Sequence, residues 1–151
     1  MSISATYAHT NLIAEDWQAL ARFYQHVFGC VPVREVDFQG DKLDAGVRIA
    51  GAHLRGVHMR LPGHGDSGPT IEIFNYNRLE DRSKTATNRP GYGHIAFRVG
   101  DVAQTRKAVL QAGGREFGEI TTMPGAPTTW CYVTDPEGNL IELLQPATKL
   151  A

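Results

Sequence analysis

The sequence predicts an α+β fold made from two copies of one module, each a strand, a helix and three further strands. Three observations predict it. A short alternating run with a histidine in it occurs twice, at Tyr7-Ala8-His9-Thr10-Asn11-Leu12 and at Gly91-Tyr92-Gly93-His94-Ile95-Ala96-Phe97-Arg98-Val99. An aspartate suited to capping a helix follows each run, Asp16 in the first copy and Asp101 in the second. Each copy closes on a strand-like run carrying one glutamate, Thr70-Ile71-Glu72-Ile73-Phe74 and Leu140-Ile141-Glu142-Leu143-Leu144. Two copies indicate a duplicated module rather than a solenoid.

In order, residues 6–12 predict a strand. After Asp16, Trp17, Leu20, Ala21, Tyr24, Val27 and Phe28 recur at helical spacing, and Gly29 and Pro32 end the helix. A second strand is expected over 31–38, a short helix over 42–49, and strands over 52–61 and 70–76. The segment Pro62 to Pro69 holds three glycines and two prolines and predicts a loop. Residues 77–90 are polar and predict a surface linker. The second copy predicts a strand over 92–99. A helix follows Asp101, with Val102, Thr105, Val109 and Ala112 inward and Gln104 in a weak capping box. Strands are expected over 115–121, 128–134 and 140–145, the last two joined by the turn sequence Asp135-Pro136-Glu137-Gly138-Asn139. The chain is expected to be a single domain over 1–151, with module one at 5–77, a linker at 78–90 and module two at 91–146.

The chain has 151 residues, 42% hydrophobic and 21% charged, an ordinary globular composition. A formal net charge of −1 argues against a broad nucleic-acid-binding surface. No apolar run reaches membrane-spanning length. The N-terminus lacks the basic and apolar regions of a signal peptide, so a cytoplasmic protein is expected. Cys30 and Cys131 form no CxxC motif and are expected as reduced core thiols.

Strand side chains alternate between two faces. Tyr7, His9 and Asn11 share one face of the first strand. Tyr92, His94, Ala96 and Arg98 share a face of its counterpart, while Gly93, Ile95, Phe97 and Val99 present the apolar face expected under the helix. Glu72 interrupts Ile71 and Ile73, and Glu142 interrupts Ile141 and Leu143. An ionised carboxylate there is costly unless a cation, a proton or hydrogen bonds compensate it. If the halves pair about a pseudo-twofold axis, the two imidazoles and two carboxylates meet, and such donors suit a first-row divalent metal. Repeat symmetry leaves a second reading open, in which the histidines are structural and the glutamates sit at sheet edges facing water.

The His9 strand, the helix ending Phe23-Tyr24-Gln25-His26-Val27-Phe28-Gly29, the segment from Gly91 to Val102 and the ending from Tyr132 to Leu143 resemble the vicinal oxygen chelate superfamily. That group includes lactoylglutathione lyase (glyoxalase), methylmalonyl-CoA epimerase, extradiol dioxygenases, fosfomycin-resistance transferases and bleomycin-binding proteins. The resemblance covers almost the whole chain. It implies paired βαβββ modules forming a cupped mixed sheet, with helices outside, around one divalent metal ion (Zn, Ni, Co, Mn or Fe). The implied ligands are His9, Glu72, His94 and Glu142, a set most like the glyoxalase and epimerase branch. The implied activity is a lyase or isomerase reaction on a small carbonyl or thioester substrate, with a metal-stabilised enediolate and Glu72 or Glu142 moving the proton. The alternatives are an Fe(II) extradiol-type dioxygenase and a non-catalytic binder of small molecules or antibiotics. A homodimer is expected, with a small-molecule substrate and neither nucleic acid nor membrane as partner.

Other residues have open roles. Asn11, Phe74 and Tyr76 are candidate pocket residues. His58 either lines the cup or faces water, and Arg98 either lines it or reaches solvent. The basic linker is expected to be solvated, its alternative being contact with an anionic substrate group.

Overall fold

In the computed structural model, which describes residues 3–147, β1 (His9–Ile13) opens the first module. Helix α1 (Trp17–Phe28) starts where the Asp16 carboxylate accepts a hydrogen bond from the Ala19 amide at 2.9 Å. It stops at Gly29, whose φ of 71° is the left-handed conformation that a side chain disfavours. The Gly29 amide then donates to Gln25 O, and the Cys30 amide to Tyr24 O. The fully buried stripe is Leu20, Ala21, Phe23 and Tyr24. Trp17, Val27 and Phe28 are only half-buried, and Phe23 takes the central place the spacing had not assigned to it. Its ring lies edge-on to both Tyr24 and Phe28.

Strand β2 (Val31–Gln39), helix α2 (Asp41–Val47), β3 (His53–Arg60) and β4 (Thr70–Tyr76) complete the module. Their order in the sheet is β1-β4-β3-β2, with β1 parallel to β4 and the other pairs antiparallel. Helix α1 packs on β3 and β4 over Val57, Met59, Ile71 and Ile73, each buried to 2% exposure or less. Gly56 allows β3 and β4 their close approach: a Cβ there would lie 2.2 Å from Ile73 O. Helix α2 buries none of its residues. It is tied down by Asp44, which accepts from the Gly51 and Ala52 amides at 2.7 and 2.9 Å.

The second module begins with β5 (Ile95–Arg98), shorter than the strand expected over 92–99. Tyr92 is fully exposed and does not share a strand face with His94. Helix α3 (Val102–Gln111) follows, capped by Asp101, which accepts from the Gln104 amide at 2.8 Å. Val102 and Val109 are its buried residues. The strand expected over 115–121 forms as two short pieces, β6 (Arg115–Glu116) and β7 (Thr121–Thr122). Strands β8 (Thr128–Thr134) and β9 (Leu140–Pro146) finish the chain. The order is β5-β9-β8-β6, with β7 also on β8 and β5 parallel to β9. The architecture is α+β, and each module makes its own mixed sheet.

The turn between β8 and β9 is organised by Asp135, which is fully buried. Its carboxylate accepts from the Glu137 and Asn139 amides and from Asn139 Nδ2 at 2.7–3.0 Å. Burial of an acidic group is thereby compensated locally. The chain divides into two compact units, one ending at Asp81 and one beginning at Arg82. The polar connection is held at both ends. Arg78 Nη2 donates to Ala50 O, while Arg82 donates to Asn139 Oδ1 and Thr85 Oγ1 to Gly138 O. Both cysteines are free and buried. Among the described residues, no helix is long and apolar enough to cross a membrane.

Candidate functional site

Glu72 lies mid-strand in β4 at 6% exposure. Three polar side chains surround its carboxylate. His9 Nε2 is 3.3 Å from Oε2, Asn11 Nδ2 donates to Oε2 at 3.2 Å, and His58 Nδ1 is 3.1 Å from Oε1. Strand register explains the grouping, because Asn11 is the partner of Glu72 on β1 and His58 its partner on β3. On the far side of His58, Arg34 Nη2 donates to Nε2 at 3.1 Å. A guanidinium has no acceptor, so His58 Nε2 must carry the lone pair and the imidazole is neutral. Burial accordingly holds the His58 pKa below its ordinary value; Glu72 opposes the shift, and Arg34 and His9 add to it.

Phe74 and Tyr76 continue along the Glu72 face of β4, both half-buried. The Phe74 ring stands edge-on to His58 at 5.4 Å. Burial first, and the Glu72 charge second, push the Tyr76 phenol pKa up.

The second unit repeats the arrangement with different company. His94, immediately before β5, places Nε2 3.1 Å from Glu142 Oε2 on β9. Ala96 occupies the place of Asn11, as the parallel partner of the glutamate two residues beyond the histidine. Tyr132 occupies the place of His58, as the antiparallel partner of Glu142 on β8. Its ring is edge-on to His94 at 5.1 Å and to Trp130 at 5.4 Å. Burial, then the Glu142 charge, raise the Tyr132 pKa, so its hydroxyl remains protonated at neutral pH.

The structure joins the four expected ligands in pairs, His9 with Glu72 and His94 with Glu142, one pair inside each unit. Among the described residues, no group of three or more His, Cys, Asp or Glu is assembled to hold a metal ion. Asn11 has its amide committed to Glu72. Arg98 is exposed at the end of β5. His58 stands beside the His9–Glu72 pair, in contact with the Glu72 carboxylate. Arg34, Tyr132 and Trp130 have no part in the sequence expectations. Tyr132 was open to discovery, since it stands at the same repeat position as His58 once β3 and β8 are aligned on their glutamate partners.

A protein-family model, Glyoxalase/Bleomycin resistance protein/Dioxygenase superfamily, matches residues 6–143. Among curated proteins, a probable lactoylglutathione lyase of Vibrio parahaemolyticus is 37% identical over 86 residues, 55% of this chain and 59% of that protein. The chain therefore matches that relative over less than two thirds of its length. The lactoylglutathione lyase of Haemophilus influenzae is 36% identical over 138 residues, 91% of this chain and 90% of that one. Among solved structures, a glyoxalase family protein from Bacillus cereus superposes with a TM-score of 0.83 at 17% identity, covering 99% of this chain and 97% of that one, a likeness of fold. The matched span takes in both modules and all four of His9, Glu72, His94 and Glu142, and the chain belongs to the Glyoxalase/Bleomycin resistance protein/Dioxygenase superfamily.

Proposed function

We propose that this protein is a divalent-metal-dependent lyase or isomerase that moves a carbon-bound proton in a small carbonyl or thioester substrate. The observation that carries the reading is the repeated pairing of an imidazole Nε2 with a carboxylate Oε2, at 3.3 Å in the first unit and 3.1 Å in the second. Two histidines and two glutamates form a nitrogen and oxygen donor set suited to Zn, Ni, Co, Mn or Fe(II). The surroundings of Glu72 favour a cation. At 6% exposure an ionised carboxylate needs compensation, and two of its three polar neighbours, Asn11 and His58, are uncharged. His9, Glu72, His94 and Glu142 are the residues that would hold the ion. When bound, the metal would supply Lewis-acid stabilisation of negative charge on the substrate oxygens.

The two glutamates are suited to different tasks. Glu72 is held through both oxygens by groups on the two flanking strands, β1 and β3, which fixes a ligand. Glu142 has Ala96 and Tyr132 as its cross-strand partners, with His94 Nε2 3.1 Å from its Oε2. A carboxylate with fewer fixed contacts can swing to take a proton from one carbon and return it elsewhere, so Glu142 is the general base of this reading. Phe74 and Tyr76 would wall the first half of the substrate pocket. Asn11 serves Glu72 instead of touching substrate. The relatives named lactoylglutathione lyase support this reaction class, and a homodimer is the expected assembly.

Solvent deuterium exchange into a panel of hemithioacetals, α-hydroxythioesters and methylmalonyl-CoA tests the reading. Exchange is expected into at least one member by the metal-loaded protein, falling ~10²–10⁴-fold in Glu142→Gln. Metal-loaded protein that exchanges no member of the panel would remove the basis for a proton-transfer enzyme.

A further inference from the structure

A single row of side chains crosses the first sheet from edge to edge. Arg34 on β2 pairs with His58 on β3, His58 with Glu72 on β4, and Glu72 with Asn11 on β1. We infer that Arg34 is a positioning residue: its guanidinium fixes His58 in the Nδ1–H tautomer, which aims a proton donor at Glu72 Oε1 and leaves Oε2 as the ligand oxygen. The inference rests on the reading of Glu72 as a metal ligand.

The chemistry of the row leaves one arrangement. Arg34 Nη2 can only donate, and it sits 3.1 Å from His58 Nε2. The neutral imidazole has one proton, which must then lie on Nδ1, the atom 3.1 Å from Glu72 Oε1. The opposite tautomer would set N–H against N–H at Arg34 and a lone pair against the carboxylate at Glu72. It is also the tautomer that free histidine prefers in water, so the protein must impose the one that Arg34 requires. With Oε1 directed at His58, the oxygen on the His9 side is Oε2, 3.3 Å from His9 Nε2 and steadied by Asn11 at 3.2 Å. Groups that orient a ligand in this way commonly govern metal affinity from outside the coordination sphere.

Two features show that the row is specific to this half. Arg34 reaches register with His58 through an irregularity between Pro32 and Arg34, which places Pro32 opposite Met59 and Arg34 opposite His58 with Val33 extra. In the second unit the corresponding row runs through Tyr132, Glu142 and Ala96, so neither cross-strand partner of the glutamate is an imidazole or an amide. One carboxylate is therefore clamped by a hydrogen-bonded row that its twin lacks.

The test compares wild type with Arg34→Leu and Arg34→Lys, in which the ammonium can still donate. Imidazole ¹⁵N resonances of the metal-free protein, in mildly alkaline buffer and assigned with His58→Gln, report the tautomer. Zn²⁺ affinity by chelator competition reports the ligand. Wild type should show His58 protonated on Nδ1. Arg34→Leu should shift it toward Nε2–H and weaken Zn²⁺ binding by about 10–100-fold, while Arg34→Lys keeps both near wild type. A wild-type proton on Nε2, or Arg34→Leu with an unchanged tautomer, would overturn the inference. So would a reversed tautomer with unchanged Zn²⁺ affinity. Failure of wild type to bind Zn²⁺ at all would instead refute the metal reading, and the ¹⁵N spectra would still decide whether Arg34 sets His58.

Discussion

Glu142 lies opposite Ala96 across the parallel β5–β9 pair, at the register position where Glu72 lies opposite Asn11. One residue thus separates a carboxylate steadied by an amide from one facing a methyl group. Ala96→Asn should supply the missing donor to Glu142. If Glu142 must move to carry a proton, kcat should fall about tenfold or more, equivalent to about 1.4 kcal/mol of barrier. Metal content should be unchanged. Steady-state kinetics beside metal analysis checks this, and an Ala96→Asn enzyme with undiminished kcat would argue against a mobile base.

The glutamates should also separate under substitution. Glu72→Ala removes a proposed ligand and leaves the His58 donor without its partner, so it should lower metal affinity strongly. Glu142→Gln keeps an oxygen donor but removes the base, so it should retain metal while losing ~10²–10⁴-fold in rate. Chelator competition and kcat, measured on both variants, distinguish the two roles. Equal loss of metal and rate in both would contradict the division of labour.

Gly56 is required by packing rather than by backbone conformation. A Cβ would press on Ile73 O at 2.2 Å and on Phe74 Cα at 2.8 Å. Gly56→Ala should destabilise the first module by about 1–3 kcal/mol through overpacking. Urea denaturation measures the loss, and it should exceed that of Gly46→Ala, where a Cβ meets nothing within 4 Å.

Asp135 holds the turn of the second module. Asp135→Ala would strip three donors of their acceptor within a buried turn. A cost of about 1–3 kcal/mol per group left buried and unsatisfied gives the scale. Thermal unfolding should show a clear fall in midpoint, with Asp135→Asn intermediate because it keeps one carbonyl acceptor.

Burial pushes the Cys30 thiol from 9.0 up to about 12. The folded state therefore holds this proton after the unfolded chain has begun to release it. The stabilisation is present below pH 9 and is lost as pH rises from 9 toward 12, at about 1.4 kcal/mol per pH unit at most. Cys30→Ala should remove that slope. Denaturation of both proteins across pH 8 to 10 checks the sign: the stability advantage of wild type over the variant should shrink as pH rises. Alkylation of native Cys30 should be slow compared with the unfolded chain.

The repeat was legible in the sequence because capping aspartates, a helix-ending glycine and glutamates inside apolar strands each leave a local mark. Those marks located β1, α1, α3 and the closing strands, and they singled out His9, Glu72, His94 and Glu142. Local marks fail where a residue's neighbours are set by register. His58 looked like any strand histidine, since only the β3–β4 pairing places it opposite Glu72. Arg34 was further out of reach, because the irregularity after Pro32 shifts its partner and leaves no signature in composition. Tyr132 opens the family-like ending but carries no charge at neutral pH, so its contact with His94 emerges from the sheet alone. The run over 115–121 reads as one strand by composition, yet Gly118 and its neighbours leave the ladder, where the Phe117 and Gly118 amides both reach Tyr132 O.

We propose His9, Glu72, His94 and Glu142 as ligands of one divalent metal ion per chain. Zn²⁺ titration of wild type, His9→Ala and His94→Ala, with stoichiometry and affinity measured per chain, tests it most directly. One ion per chain is expected in wild type, with a large loss of affinity in each variant, because either substitution removes a proposed ligand of that ion. Two independent ions per chain, with His9→Ala and His94→Ala each losing only one of them, would contradict it.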